Sequence, residues 1–126
     1  MGVDDDEDEL TRAQLEELRG DLIELRARLS EQLERARGAA ATVALDEPIG
    51  RLSRIDALAQ QQVVKAGVEA TRRRLAQVHS ALQRIDEGEY GYCLRTGEPI
   101  GFRRLKVRPE ATLSLAGQAE LERRRR

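Results

Sequence analysis

The stretch LEELRGDLIELRARLSEQL, residues 15–33, carries the clearest structural pattern in the chain. Its leucines recur at alternating spacings of three and four residues, which places them on one side of an α-helix as a coiled-coil seam. Because a narrow seam does not stabilise a lone helix, this stretch predicts a partner helix. The seam consists of Leu15, Leu18, Leu22, Leu25 and Leu29, roughly extended by Leu33 and Ala36.

The ends of this helix and of its partner have recognisable signals. Thr11 and Gln14 have the spacing of a capping box, and the helical pattern weakens at Gly38. We expect a second helix to begin near Ser53, whose side chain can cap it, and to end at Gly88. The seam of this second helix comprises Val68, Leu75, Val78, Leu82 and Ile85.

Two helices joined by a short break most simply form an antiparallel hairpin, and Pro48 and Gly50 mark that break. After the second helix the sequence becomes rich in glycine, proline and aromatic residues, which predicts a small turn-rich knob. A last helix is expected from about Thr112. The predicted organisation is a disordered acidic tail over 1–10, the hairpin over 11–88 with its tip near 42–56, and the knob, C-terminal helix and basic tail over 89–126.

The composition agrees with long exposed helices rather than a large core. Charged residues make up 36% of the 126 residues, and the chain has no Trp, two Tyr and one Phe. The net charge of −1 conceals an acidic run at residues 4–9 and four arginines at 123–126. With no signal peptide, no membrane-spanning stretch and a single cysteine, we expect a cytoplasmic protein. We also expect a monomer.

The segment CLRTGEPIG, residues 93–101, begins as many zinc loops do. A structural zinc site needs four ligands, usually Cys or His, but Thr96 stands where a second cysteine would be. His79 and Cys93 are the only His and Cys in the chain, so they cannot close such a site. Nor do they form an evident nucleophile–base pair, and no phosphate loop is visible, so we do not expect an enzyme.

The knob sequence nevertheless resembles a known family. Residues 90–118 contain YGYC-x-x-T-GEPIG, then RRL, RP, AT and S-x-x-G. This order resembles the C-terminal zinc-finger region of the DksA/TraR family of bacterial transcription regulators, which carries YGxC-x-x-CGE and a later C-x-x-C. The resemblance places the four metal positions on Cys93, Thr96, Ser114 and Gly117, and three of them lack a ligand.

The resemblance therefore implies a zinc-finger-like knob on an all-α dominated fold, without zinc or another metal cofactor. We expect Thr96 and Ser114 to hydrogen-bond to backbone groups, and packing to replace the metal. The expected small core comprises Tyr90, Tyr92, Ile100, Phe102, Leu105 and Val107.

Proteins similar to this one dock on RNA polymerase and insert the hairpin tip through the secondary channel, often together with guanosine tetraphosphate. The resemblance implies a transcription regulator with bacterial RNA polymerase as its partner, no membrane association and no sequence-specific DNA binding. Guanosine tetraphosphate is a candidate effector. Of the basic positions that the family uses at the polymerase rim, Arg108 matches, whereas Gln77 and Gln118 replace the other two.

The family pattern at the tip, D-x-x-D-x-A, has two alignments here. EPIGRL, residues 47–52, supplies only the first acid, and SRIDAL, residues 53–58, supplies only the second. We favour Asp56 and its neighbour Arg54, although Asp56 at a helix start is equally explained by the helix dipole. The candidate tip residues are Asp56, Arg54, Ser53, Glu47 and Asp46.

Two other functions fit the sequence. The narrow seam and the Ala-rich stretch 39–41 allow a coiled-coil adaptor that binds another protein. The basic residues of the knob allow a weak nucleic-acid binder, although the chain is slightly acidic and poor in aromatics. Salt-dependent binding to duplex DNA would favour the nucleic-acid binder. Concentration-dependent sedimentation would favour the adaptor.

Overall fold

Four α-helices form the fold, and the computed structural model describes residues 9–45 and 54–125. They are α1 (Arg12–Leu45), α2 (Arg54–Glu87), α3 (Phe102–Val107) and α4 (Leu115–Arg124). Within the described ranges there is no strand, and the single β-bridge joins Tyr92 to Pro99. The predicted fold class is confirmed: a long two-helix coiled-coil hairpin, a zinc-finger-like knob and a C-terminal helix. None of the helices in the described part of the chain combines the length and hydropathy needed to cross a bilayer.

The helix ends follow from local chemistry. The capping box is present, because the Thr11 and Gln14 side chains each accept a hydrogen bond from the other residue's backbone N–H, at 3.1 and 3.0 Å. Gly88 ends α2 with a φ of +75°, a conformation that glycine adopts without strain. Gly38, where the sequence pattern weakens, lies inside α1, which continues to Leu45. The Ala-rich stretch that follows has high helix propensity and outweighs one glycine.

The chain divides into two compact units, each containing part of both long helices. The first unit is Met1–Leu25 with Gln77–Arg126, and the second is Arg26–Ala76. This division cuts through the helices, whereas the sequence predicted a boundary at residue 88. Most of the predicted α1 seam is buried, with Leu15 half-buried. Of the predicted α2 seam only Val68 and Val78 are buried, whereas Leu75, Leu82 and Ile85 are half-buried. In the first unit Leu18, Leu22, Leu25, Val78 and Ala81 are buried; in the second, Leu29, Leu33, Val68 and Thr71.

The knob contains a helix that the sequence pattern did not reveal and a smaller core than expected. Six residues form α3, which is too short to show a helical period, and α4 begins at Leu115 rather than near Thr112. The buried hydrophobic side chains are those of Tyr90, Cys93, Ile100 and Leu105, and Phe102 is half-buried. Tyr92 and Val107 were wrongly placed in this core, because they are 37% and 84% exposed.

The chain packs against the knob from Glu9 onward. The Tyr92 hydroxyl donates a hydrogen bond to a Glu9 carboxylate oxygen at 2.9 Å. The Leu10 side chain lies so close to Gly91 that a Cβ there would be 3.0 Å from Leu10 Cδ1. The predicted disordered tail extended to residue 10, so its last two residues have contacts that the composition did not indicate. Residues 1–8 lie outside the described residues.

Candidate functional site

A tight turn in the knob positions the only cysteine. The Cys93 amide donates to the Glu98 carbonyl, and the Gly97 amide donates to the Cys93 carbonyl, both at 2.8 Å. Gly97 has a φ of +75°, which favours glycine at this point of the turn. The Leu94 amide donates to the Thr112 carbonyl at 2.9 Å, which brings the segment before α4 beside the turn.

The four residues at the former zinc positions lie together around the cysteine sulfur, and we call them the Cys93 cluster: Cys93, Thr96, Ser114 and Gly117. Cys93 is 2% exposed and forms hydrogen bonds with Ser114 and Thr96. An added Cβ on Gly117 would be 2.6 Å from Cys93 Sγ and 3.3 Å from Ser114 Oγ. The sequence-based matching therefore identified four positions that the fold brings to one place.

The two hydroxyls also bond to the backbone, as the sequence predicted. Thr96 Oγ1 accepts a hydrogen bond from the Glu98 amide at 3.2 Å, which closes the turn. Ser114 Oγ accepts one from the Gly117 amide at 3.0 Å and is the N-cap of α4. The contact of both residues with the sulfur was not predicted from the sequence, because it depends on how closely α4 approaches the turn.

The environment of the sulfur favours the thiolate. Burial raises the pKa of the Cys93 thiol, but hydrogen bonds from the side chains and backbones of Ser114 and Thr96 together outweigh it. The pKa is lowered from 9.0 to about 6. The cluster thus stabilises one negative charge with hydrogen-bond donors, in the place where relatives are expected to hold a cation.

These residues do not fit a tetrahedral zinc site. Zinc takes four Cys, His or carboxylate ligands, whereas this cluster offers one thiolate, two hydroxyls and a glycine. The hydroxyl groups already bond to backbone amides, and the close approach of Gly117 leaves no room for a ligand side chain. Elsewhere in the described ranges, no group of three or more His, Cys, Asp or Glu residues is placed to hold a metal.

Other polar contacts hold the knob together. The buried Tyr90 hydroxyl donates to the Pro109 carbonyl at 2.8 Å, and burial raises the pKa of Tyr90. Arg95 Nε lies 3.6 Å from Glu120 Oε1 on α4. On α3, Lys106 Nζ is 2.8 Å from a carboxylate oxygen of both Glu17 and Asp21 on α1. These long-range ion pairs could not be predicted from the sequence, because none has a characteristic local spacing.

The structure describes part of the predicted tip. Arg54 is the first residue of α2 and Asp56 lies in its first turn, and both side chains are exposed. This position suits the helix dipole as well as a functional role. Asp46, Glu47 and Ser53 lie outside the described residues.

Arg108 lies on a groove that opens beside the Cys93 cluster. It is exposed, whereas Gln118 donates from Nε2 to Glu122 at 3.1 Å and Gln77 lies exposed on α2. The groove has a volume of about 920 Å³. We call it the arginine groove; its lining includes Arg103, Arg104 and Arg108 with Pro99, Ile100, Val107 and Leu115.

The helical hairpin and the compact Cys93 cluster define a class: a coiled-coil protein with a zinc-finger-like knob. Comparison with known proteins gives the same result. Residues 88–123 match the prokaryotic dksA/traR C4-type zinc finger. A solved structure of transcription factor DksA2 from Pseudomonas aeruginosa has a TM-score of 0.78 and 32% identity, covering 90% of this chain and 87% of that one.

Curated relatives are named RNA polymerase-binding transcription factor DksA. That of Caulobacter vibrioides is 49% identical over 55 residues, which are 44% of this chain and 39% of the relative. That of Escherichia coli K12 is 27% identical over 112 residues, covering 86% of this chain and 72% of the relative. The match to the Caulobacter protein therefore spans well under half of that relative. The chain belongs to the DksA/TraR family.

Proposed function

We propose that this chain is a transcription regulator that binds bacterial RNA polymerase and acts without enzymatic activity. The observation that carries the proposal is the likeness to DksA2 over 90% of the chain, which includes both long helices and the knob. The names of the curated relatives support polymerase as the partner. The proposal extends to insertion of the hairpin tip into the polymerase secondary channel.

The helices suit such a mode of action. Each long helix has 34 residues and is about 50 Å long at 1.5 Å per residue. At the start of α2, Asp56 offers an exposed carboxylate with Arg54 two residues before it. In a confined channel with little water, one carboxylate interacts with nearby charges more strongly than in bulk solvent. We assign Asp56 the main role at the tip, with Asp46 and Glu47 as the alternatives.

We propose that regulation does not require zinc and that guanosine tetraphosphate is a candidate effector. The Cys93 cluster supports regulation that does not require zinc, because hydrogen bonds link the residues at the former ligand positions. Guanosine tetraphosphate is a candidate effector, since one of three basic rim positions is kept as Arg108. Whether the effector changes activity is tested by adding it to each reaction below.

The test is transcription by purified bacterial RNA polymerase from a ribosomal-RNA promoter, with a metal chelator present. Wild type, Asp56→Asn and Glu24→Gln are compared at matched occupancy of the polymerase. Glu24 is an exposed carboxylate on α1 and controls for the loss of one charge. We expect wild type and Glu24→Gln to change transcript yield and Asp56→Asn to bind without changing it.

Two other results have separate meanings. If Asp56→Asn acts like wild type, the regulator proposal stands and the tip acid is Asp46 or Glu47. If saturating wild-type protein neither binds polymerase nor changes transcription, the regulator proposal is wrong.

One observation favours an adaptor as the second candidate. Ile55, Leu58 and Val63 on α2 are 77%, 53% and 73% exposed, and apolar side chains at such positions can contact another protein. Sedimentation over a range of concentrations would reveal self-association through them. For the nucleic-acid binder, the ion pairs of Lys106 with Glu17 and Asp21 reduce the positive charge available to phosphates.

A further inference from the structure

We propose that the acidic run at the N-terminus docks into the arginine groove of the same chain. The acidic run is Asp4, Asp5, Asp6, Glu7, Asp8 and Glu9. The inference rests on the charges of the groove, on the contact of Glu9 with the knob and on the length of chain before it. It does not depend on the proposed function.

The groove has an excess of positive charge. Three arginines line it, against one carboxylate, Glu98. On α3, Arg103 and Val107 are four residues apart and lie on one side of the helix, and Arg108 follows directly as its C-cap. Arg104 Nε donates to the Leu113 carbonyl at 2.7 Å, which fixes that side chain along the groove.

Three other cations of the knob and α4 form salt bridges within the described residues. Lys106 contacts two carboxylates, and Arg95 and Arg124 both contact Glu120. Among the residues that the structure describes, neither Arg103 nor Arg108 has a salt bridge. Arg103 and Arg108 are exposed, so carboxylates from outside the described ranges or from another molecule can pair with them.

Glu9, the last residue of the acidic run, is connected to this groove through Tyr92 and Pro99. Glu9 accepts the hydrogen bond of Tyr92, and Tyr92 is bridged to Pro99. Pro99 lines both the small cavity that contains Glu9 and the arginine groove. The five acids before Glu9 can span about 17 Å at about 3.3 Å per residue. A tethered segment also has a high effective concentration, on the order of millimolar, so weak ion pairs suffice to dock it.

When docked, the acidic run would complement the groove in both charge and hydrophobicity. Its carboxylates match Arg103 and Arg108, and Val3 just before it can lie against the exposed side chains of Val107 and Leu115. An anionic partner of the groove would then have to displace the run.

The experiment places a nitroxide on the N-terminal amine of the full chain and records amide signals by NMR. This amine can be modified selectively near neutral pH, because its pKa is about 8 and that of lysine about 10.4. At low salt we expect the amide signals of Arg103, Arg104, Val107 and Arg108 to be lost and to return when the nitroxide is reduced. At about 1 M salt, where the Debye length is about 3 Å, the loss should disappear.

Matched variants decide the docking site. Arg103→Gln/Arg108→Gln should restore the signals of the neighbouring groove residues, whereas Arg123→Gln/Arg125→Gln, which removes the same charge from the exposed basic tail, should not. Loss of signals only near residues 123–125, or no loss at low salt, would overturn the proposal. The proposal would also be overturned if amide signals were lost only between labelled and unlabelled copies in a mixture. The acidic run in the groove would then belong to a second copy of the chain.

Discussion

Gly117 stands at a position where the family resemblance places a cysteine, and its backbone approaches Cys93 too closely for a side chain. A Cβ at this position would be 2.6 Å from the sulfur. We expect Gly117→Ala to destabilise the fold by about 1–3 kcal/mol, because either the turn or α4 must move. Urea unfolding measures the change. Gly67→Ala is the control: it has open space within α2 and should stabilise by about 0.5–1 kcal/mol. Equal stability of Gly117→Ala and wild type would contradict the close packing.

The thiol of Cys93 makes stability depend on pH. Its pKa is about 6 in the folded chain and 9.0 without the fold. Between these values the unfolded state binds more protons, so stability rises with pH from about 6 to 9, by at most about 1.4 kcal/mol per pH unit, and is lost as pH falls toward 6. Urea unfolding under reducing conditions at several pH values measures this slope, and thiolate absorbance gives the midpoint. Cys93→Ser should lack the slope; a wild-type midpoint near 9 would refute the thiolate assignment.

At the residue scale, sequence matching located the cluster but not its chemistry. Cys93, Thr96, Ser114 and Gly117 were placed by their order in the motif, and the backbone hydrogen bonds of the two hydroxyls were anticipated. The bonds to the sulfur depend on distances between segments some twenty residues apart. Such distances are set by tertiary packing, which a single sequence does not encode in a local pattern.

At the scale of elements, α4 is held to the turn through its N-cap. Ser114 accepts from the Gly117 amide and also bonds to the Cys93 sulfur. We expect Ser114→Ala to cost about 0.5–2 kcal/mol in thermal or urea unfolding, because one backbone donor loses its acceptor. Ser114→Thr keeps the hydroxyl and should retain most of the stability. Ser80→Ala, on an exposed part of α2, should change stability by less than about 0.5 kcal/mol. An equally small change in Ser114→Ala would show that the cap does not hold α4.

Element prediction succeeded where the pattern was long. The leucine seam, the capping box and the end of α2 at Gly88 were all predictable, because each follows from spacing or from the backbone freedom of glycine. The end of α1 could not be predicted, because propensity alone does not decide whether a helix continues through a lone glycine. Helix α3 was missed because six residues contain too few turns to show a period.

At the scale of the whole molecule, the fold should not require metal. The Cys93 cluster offers one zinc ligand of the usual type, and its hydroxyls are bonded to the backbone. We expect full-length protein dialysed against a chelator to keep its circular dichroism spectrum and unfolding midpoint, with less than one zinc per ten chains by elemental analysis. A matched zinc-bearing relative serves as the positive control. Loss of helicity in chelator, restored by zinc, would contradict the account.

We propose that the tip of the hairpin enters RNA polymerase. The most direct test places a photo-crosslinking amino acid at Ile55, which is 77% exposed beside Asp56, and maps the crosslinked polymerase peptides by mass spectrometry. The same label at Glu24, in the first half of α1, is the comparison. We predict that position 55 crosslinks to peptides lining the secondary channel near the active centre and that position 24 does not. Crosslinks from position 55 only to the outer surface of bound polymerase, or none at all, would contradict the claim.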